Sequence, residues 1–285
     1  MLFKIKTILP LIVMCVGKAN AQDTNSIIDG AYKKYDVYNR PIIPYAHLRE
    51  ADVMWSRRVW RVIDLRQKIN LPLYYPITPI KNRKSIMQAL YEAVVKNGSL
   101  TAYDGYDDEF GKVLTKTEIL TMLNKADTFE IENPETGKFE TKIINSEFDP
   151  SKVFKLRVKE EWFFDKQRST FDCRIIGICP VITVYADDGS IKGERPLFWI
   201  YYNDARYLFA HVPVFNRNND AERRTLDDIF WKRMFGSVIY KVSNVYAVDG
   251  DSRSIADYTQ GKDALLEAEK LKLQLMEFEA DLWEH

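Results

Sequence analysis

Few residues of the kinds that build catalytic and metal sites occur in this 285-residue sequence. It has three cysteines and three histidines, and the histidines (His47, His211 and His285) lie far apart in the chain. The sequence also lacks the patterns H-E-x-x-H, G-x-S-x-G, G-x-G-x-x-G and G-x-x-x-x-G-K-[ST], which mark zinc proteases, serine hydrolases, dinucleotide-binding proteins and P-loop nucleotidases. We therefore predict that the protein is not an enzyme and has no catalytic, cofactor or metal site.

Carboxylates are plentiful, but no spacing among them selects a site. The loop DGYDDEFG contains Asp104, Asp107, Asp108 and Glu109, which do not match the ligand spacing of an EF-hand. We interpret them as solvated loop acids. A glycosidase-type acid pair has no sequence signature, so an exported enzyme or binding module acting on cell-wall material stays as an alternative function. A deep pocket with two facing carboxylates would be the evidence for it.

Neither sign of charge is in excess, because 41 lysines and arginines balance 41 aspartates and glutamates. A balanced chain lacks the strong positive field that favours nucleic acids and anionic membranes, so we predict no nucleic-acid partner. The apolar share of 46% and the charged share of 29% are typical of a globular protein. Since no internal repeat or low-complexity linker is present, we predict one domain with two appended ends.

Long apolar runs are also missing, apart from one at the N-terminus. Two lysines precede the apolar residues 8–16, and an A-x-A pattern ends at Ala21. This arrangement predicts a secretory signal peptide, residues 1–21, that is cleaved after Ala21. The run is too short to span a bilayer comfortably. Met14 precedes Cys15, where lipidation would need a small residue, so we do not expect a lipoprotein.

Two cysteines remain after the predicted cleavage, Cys173 and Cys179, and both lie in the segment FDCRIIGICPV. The segment is typical of one strand, in which six residues of extended chain would separate the two sulfurs by roughly 20 Å. That distance is far beyond the reach of a disulfide, which would need a sharp bend at Gly177. We interpret the pair as two buried free thiols.

Tryptophans and arginines are concentrated in the stretch ADVMWSRRVWRVIDLRQKINLPLYYPITP, residues 51–79. Apolar residues at spacings near 3.6 predict a helix here, and Pro72 would end it. Arginines away from the centre of this stripe would form a basic patch, which either stays solvated or binds an acidic partner. The stripe consists of Leu48, Trp55, Val59, Val62 and Ile69, and the patch consists of Arg57, Arg58 and Arg61.

The remaining patterns predict an α+β fold: a single domain with an antiparallel sheet, N-terminal helices and an extended C-terminal helix. Helical spacing and capping signals predict helices over residues 84–97, 115–124, 225–235 and 261–285. Alternating or continuously apolar segments bounded by turn residues predict strands over residues 139–143, 154–164, 175–185, 197–202 and 237–248. Turns are expected at residues 133–137 and 187–190.

We predict that the two ends flank a core domain over residues 46–258. Residues 22–45 are polar with scattered tyrosines and are typical of an extended arm, which is either a flexible leader or a segment that lies on a neighbouring subunit. Residues 259–285 form the C-terminal helix, whose apolar stripe has four-three spacing. Few heptads favour docking of this helix on its own domain over partner binding. The stripe consists of Ala264, Ala268, Leu271, Leu275, Phe278 and Leu282.

Long strings of this sequence resemble the GldN family, also called PorN, of the type IX secretion system of Bacteroidetes. The strings are residues 51–79, VKEEWFFDKQRS, RIIGICPV, PLFWIYYNDAR and DDIFWKRMFGSVIYKVSN. The resemblance implies a non-enzymatic periplasmic subunit at the inner face of the outer membrane. It also implies a ring with an outer-membrane lipoprotein of the GldK/PorK type, self-association within that ring, and contact with a GldM/PorM-type periplasmic protein.

The resemblance transfers no functional residue, so the candidate partner-binding residues come from the patterns above. They belong to the predicted basic patch and to the apolar stripe of the C-terminal helix. They are Arg57, Arg58, Arg61, Leu271, Leu275, Phe278 and Leu282.

Overall fold

A seven-stranded antiparallel sheet organises the fold, in the order β2-β8-β6-β5-β1-β9, with β7 pairing with the far end of β6. Two further two-stranded sheets pair β3 with β4 and β10 with β11. The strands are β1 (Val53–Asp64), β2 (Ala102–Asp104), β3 (Lys125–Glu132), β4 (Phe139–Ser146), β5 (Val153–Asp165), β6 (Thr170–Tyr185), β7 (Ile191–Pro196), β8 (Phe198–Tyr201), β9 (Val238–Val242), β10 (Ala247–Val248) and β11 (Asp251–Ser252).

The described residues include six α-helices. They are α1 (Leu71–Tyr74), α2 (Ile86–Tyr91), α3 (Lys116–Leu123), α4 (Tyr202–His211), α5 (Leu226–Trp231) and α6 (Gly261–Asp281), and a π-helical turn, Glu92–Lys96, extends α2. None of the described helices has the length and apolar character that crossing a bilayer requires. The mixed α+β class with one main antiparallel sheet and a C-terminal helix is therefore confirmed.

This computed structural model describes residues 31, 41–80, 83–123, 125–132, 139–146, 148–186, 189–216, 219, 221–248 and 251–282. All of them except Ala31 belong to the unit Val37–His285, to which the description below applies. The predicted signal peptide, most of the predicted arm and the turn at residues 133–137 lie outside the described residues.

The segment predicted as the first helix is a strand, so that prediction is wrong. β1 pairs along its length with β5, from Trp55 opposite Phe164 to Asp64 opposite Lys155. Its middle also pairs with β9 on the other edge, for example Val59 with Val242. A strand that is covered on both faces carries apolar residues at odd and at even positions, and such a run also matches the helical period.

Pro72 was expected to end that helix, and this expectation is also wrong. The proline lies instead in the first turn of the short helix α1, where its missing N–H is not required.

Packing on the main sheet separates its two faces. Successive residues of a strand point to opposite faces, and in β6 Ile178 belongs to the main core whereas Cys179 belongs to a smaller cluster with Trp60 and Trp199. Helices α2, α4 and α5 contribute buried side chains to the main core. Phe110, from the loop after β2, packs against the smaller cluster on the opposite face.

The other helix and strand predictions are largely confirmed, with shorter ends. The predicted helices correspond to α2 with its π-helical turn, α3, α5 and α6, although α5 ends four residues before Phe235. The predicted strands correspond to β4, β5, β6, β8 and β9, and the strand expected to reach Val248 stops at Val242. Helix α4 was not predicted, although its buried residues Tyr202, Ala205, Arg206 and Phe209 have helical spacing.

Candidate protein-interaction site

A buried carboxylate forms the centre of one polar cluster in the core. Glu160 of β5 has no exposed surface. Its oxygens accept hydrogen bonds from Arg61 Nε at 3.0 Å, from Arg233 Nη2 at 2.9 and 3.1 Å, and from Trp162 Nε1 at 3.0 Å. These charge-assisted bonds offset the loss of hydration that a buried carboxylate would otherwise suffer.

The backbone after α5 brings Arg233 to this carboxylate. Arg233 has a φ of 52°, in the left-handed region that ends helices, and this explains why α5 stops earlier than predicted. For a non-glycine residue this conformation is unfavourable by about 1 kcal/mol. The ion pair with Glu160 and the stacking of the guanidinium on Trp162, 5.0 Å from the ring centre, hold it in place.

A groove of about 310 Å³ lies between this cluster and helix α6. A second cavity of about 380 Å³ shares Trp162, Arg233 and Glu279 with it. The groove is lined by Arg61, Trp162, Arg233, Phe235, Gly236, Ser237, Lys272, Leu275, Met276 and Glu279. Its walls therefore combine guanidinium, ammonium and carboxylate groups with aromatic and aliphatic side chains.

Helix α6 packs on the domain through one stripe and leaves a second stripe exposed. Ala268 and Leu275 are buried against β1 and β9, and Phe278 stacks on Trp55 with 4.6 Å between ring centres. Docking of this helix on its own domain, one of the two alternatives, is therefore what the structure shows. The second apolar stripe consists of Leu265, Leu266, Leu273 and Met276, which are between 47% and 68% exposed.

The three arginines of the predicted basic patch do not share a surface. Because β1 is a strand, Arg57 and Arg58 point to opposite faces of the sheet. Arg58 is exposed, Arg57 is half-buried, and Arg61 is only 6% exposed. A continuous patch of the kind that a helix would present is thus absent from this part of the structure.

The candidate residues on α6 do not lie on a free surface. Leu271 and Phe278 are partly buried and Leu275 is buried against the chain's own sheet, while Leu282 is half-buried.

Arg61 and Leu275, selected from distant segments, both line the groove. Sequence reasoning missed Glu160, Trp162 and Arg233, because their meeting depends on strand pairing and on the turn after α5. Partner binding by the candidate residues stays a prediction.

Residues 41–45 of the predicted arm lie on the core. The Arg206 guanidinium of α4 lies 4.6 Å from the ring centre of Tyr45 and 4.7 Å from that of Trp231. The same guanidinium donates to the Ile43 carbonyl oxygen at 2.7 Å and pairs with Asp227 at 3.1 Å. Burial raises the pKa of Tyr45 to about 12. Residues 41–49 are therefore held against the domain by its own side chains.

Both cysteines of the described chain are free thiols, as predicted, but only Cys179 is buried as a whole residue, and Cys173 is partly exposed. Burial of the sulfur and the neighbouring Glu160 carboxylate raise the pKa of Cys173 well above its usual range, although Arg233 donates to this sulfur at 3.2 Å. Burial also raises the pKa of Cys179 to about 12. Both thiols stay protonated at neutral pH and are poor nucleophiles. Among the described residues no group of three or more histidines, cysteines or carboxylates is arranged to hold a metal ion.

One residue of the acidic loop is not a solvated acid, so the interpretation is wrong for Asp108. Its carboxylate binds Lys159 Nζ at 3.2 Å and Lys241 Nζ at 2.9 Å, and both lysines are almost fully buried. Burial opposes ionisation, but the hydrogen bond and charge of Lys241, together with Lys159, lower the pKa of Asp108. These contacts fasten the loop to the face of the sheet that carries Trp60.

Comparison with known proteins provides the identification. The family model described as gliding motility associated protein GldN matches residues 48–284, which include the sheet, the groove and α6. No curated protein matches the chain. Because the family match covers most of the sequence, the chain belongs to the GldN family and is a component of the gliding-motility and type IX secretion machinery.

Proposed function

We propose that the protein is a non-enzymatic periplasmic subunit of this machinery. It assembles with an outer-membrane lipoprotein of the GldK/PorK type into a ring and contacts a periplasmic protein of the GldM/PorM type. The observation that carries the proposal is the GldN family match over residues 48–284. The expected signal peptide, residues 1–21, supports a location at the inner face of the outer membrane.

The surface of α6 supports a role in assembly. Its second apolar stripe lies about opposite the stripe that packs on β1 and β9, so docking on the domain leaves it uncovered by the described residues. Contiguous exposed apolar residues on a folded domain favour contact with another protein. The same helix thereby offers a rigid element through which force or a conformational signal can pass to a partner.

The chemistry of the cluster supports a structural role. The two thiols are held in their protonated form by burial, and the Glu160 carboxylate is occupied by two guanidinium groups and one indole N–H. These contacts stabilise a fixed arrangement of β1, β5 and the turn after α5. Groups bound in this way serve packing and orientation better than proton transfer.

Copurification from cells tests the assembly. The tagged protein should recover the GldK/PorK-type lipoprotein, and the double substitution Leu266→Glu and Leu273→Glu should reduce this recovery at least tenfold. The matched control is Ile191→Glu with Val245→Glu, which places the same charges at two exposed apolar residues outside α6. Equal recovery by both double variants would exclude α6 as a partner contact, and absence of the lipoprotein from the wild-type sample would refute the proposed assembly.

A further inference from the structure

The groove beside α6 is lined by the guanidinium of Arg61, whose terminal nitrogens donate to none of the described residues. Arg61 is 6% exposed, and its Nε donates to Glu160. In the described part of the chain, neither Nη1 nor Nη2 of Arg61 donates a hydrogen bond. These two nitrogens carry four of the five N–H donors of the group. Neither nitrogen is among the buried side-chain atoms of the described residues that lack a partner, and both can donate to a ligand in the groove.

The local charges favour an anionic acceptor. Arg61 and Arg233 share a single carboxylate, that of Glu160, which leaves one positive charge without a carboxylate of its own. Lys272, on the α6 side of the groove, pairs with Glu269 at 2.9 Å. Glu279 also lines the groove, but among the described residues it forms no hydrogen bond to either guanidinium. A carboxylate matches the planar fork of Arg61 better than a neutral acceptor does.

The apolar walls and the size of the groove indicate which groups the ligand carries besides its carboxylate. Trp162, Phe235, Leu275 and Met276 provide an apolar surface beside the guanidiniums. The volume of about 310 Å³ lies at the lower end of the range for ligand sites. It suits one or two side chains, and an inorganic anion would leave the apolar walls without a contact.

We propose that the groove binds a glutamate or aspartate side chain of a partner polypeptide, with an adjacent apolar side chain packed on Trp162, Leu275 and Met276. The carboxylate accepts hydrogen bonds from the terminal nitrogens of Arg61. This inference deepens the proposed function, because it assigns a chemistry to one partner contact. A titration with a small peptide tests it without any partner protein, so its failure would leave the copurification result untouched.

The experiment uses the protein labelled with ¹³C at its methionine methyl groups. Acetyl-Leu-Glu-amide should shift the Met276 signal in a saturable manner and leave the signal of Met54, which is exposed elsewhere, unchanged. Acetyl-Leu-Gln-amide, which is isosteric but neutral, should bind at least tenfold more weakly. Sodium phosphate should not compete at equal concentration. Equal binding of both dipeptides, or full displacement by phosphate, would overturn the proposal.

Substitutions test the assigned residues by calorimetry. Arg61→Lys keeps the positive charge beside Glu160 but removes the planar pair of donors, and it should weaken acetyl-Leu-Glu-amide binding at least tenfold. Met276→Glu, at an exposed residue that need not affect folding, should abolish binding through repulsion. Leu266→Glu on the same helix, away from the groove, is the matched control and should bind as the wild type does. Wild-type affinity in Met276→Glu would overturn the assignment even if Arg61→Lys failed to fold.

Discussion

Glu160 provides the sharpest test of the buried cluster. Replacing it by Gln keeps the shape of the side chain and removes the charge that Arg61 and Arg233 share. Removing one partner of a buried ion pair typically destabilises a protein by about 3–5 kcal/mol. The Arg233 side chain is 32% exposed and regains water, whereas that of Arg61 is 8% exposed and does not. We therefore expect a loss of about 3 kcal/mol in the free energy of unfolding, mostly through Arg61.

Urea unfolding followed by tryptophan fluorescence measures this loss. The midpoint should fall while the slope m stays constant. Glu269→Gln, which breaks an exposed pair with Lys272, is the matched control and should change stability by less than about 0.5 kcal/mol. Adding Arg61→Met to Glu160→Gln should recover part of the loss, because the uncompensated buried charge is then removed. A loss in Glu160→Gln no larger than in the control would refute this account of the cluster.

Three further predictions concern the loop, the sheet and the N-terminal segment. The pKa of Asp108 is lowered in the folded state, so its contribution to stability is complete above the unfolded pKa of about 3.9 and is lost as the pH falls through the folded value. Between pH 5 and pH 3, the free energy of unfolding measured in urea should fall more steeply with pH in the wild type than in Asp108→Asn. The same pH dependence in both proteins would contradict the ion pairs. Gly177→Ala would place a methyl group 2.6 Å from Phe110 and should destabilise the protein by about 1–3 kcal/mol, whereas Gly193→Ala, with open space around it, should not. Equal thermal stabilities of the two variants would contradict the close packing of Phe110 on Gly177. Tyr45→Ala should release residues 41–49 and speed tryptic cleavage after Arg49 at least fivefold, whereas substitution of the exposed Tyr106 by Ala should not change the cleavage rate. Unchanged cleavage in Tyr45→Ala would contradict the stabilising contact between Tyr45 and Arg206.

Local signals predicted much of the fold because they act within a few residues. The capping box in which Thr225 and Asp228 bond each other's backbone N–H begins α5 as the sequence indicates. The four-three stripe of α6 packs as a unit on β1 and β9. The apolar run of β6 corresponds to a strand with neighbours on both sides. In each case the local preference and the tertiary contacts favour the same structure.

The errors arose where tertiary pairing decides. In β1, Trp55 and Val59 fit both the helical and the strand period, and pairing with β5 and β9 selects the strand. The end of α5 depends on Arg233, whose left-handed backbone is stabilised by contacts with Glu160 and Trp162. Neither effect has a signature in the local sequence.

The candidate site was predicted only in part for the same reason. Arg61 and Leu275 were selected as surface residues of two separate helices, but they meet in the groove because α6 packs beside β1. Glu160 lies 99 residues from Arg61 and 73 residues from Arg233 in the chain. No sequence spacing could bring these three charges together before the strand pairing was known.

The most direct test of the central claim is the solution mass of the protein, alone and mixed with the periplasmic part of a cognate GldK/PorK-type lipoprotein, measured by light scattering. Assembly predicts a stable complex many times larger than either component, and Leu266→Glu with Leu273→Glu should abolish it while Ile191→Glu with Val245→Glu should not. A mass that stays the sum of unassociated components over a range of salt concentrations would contradict the account.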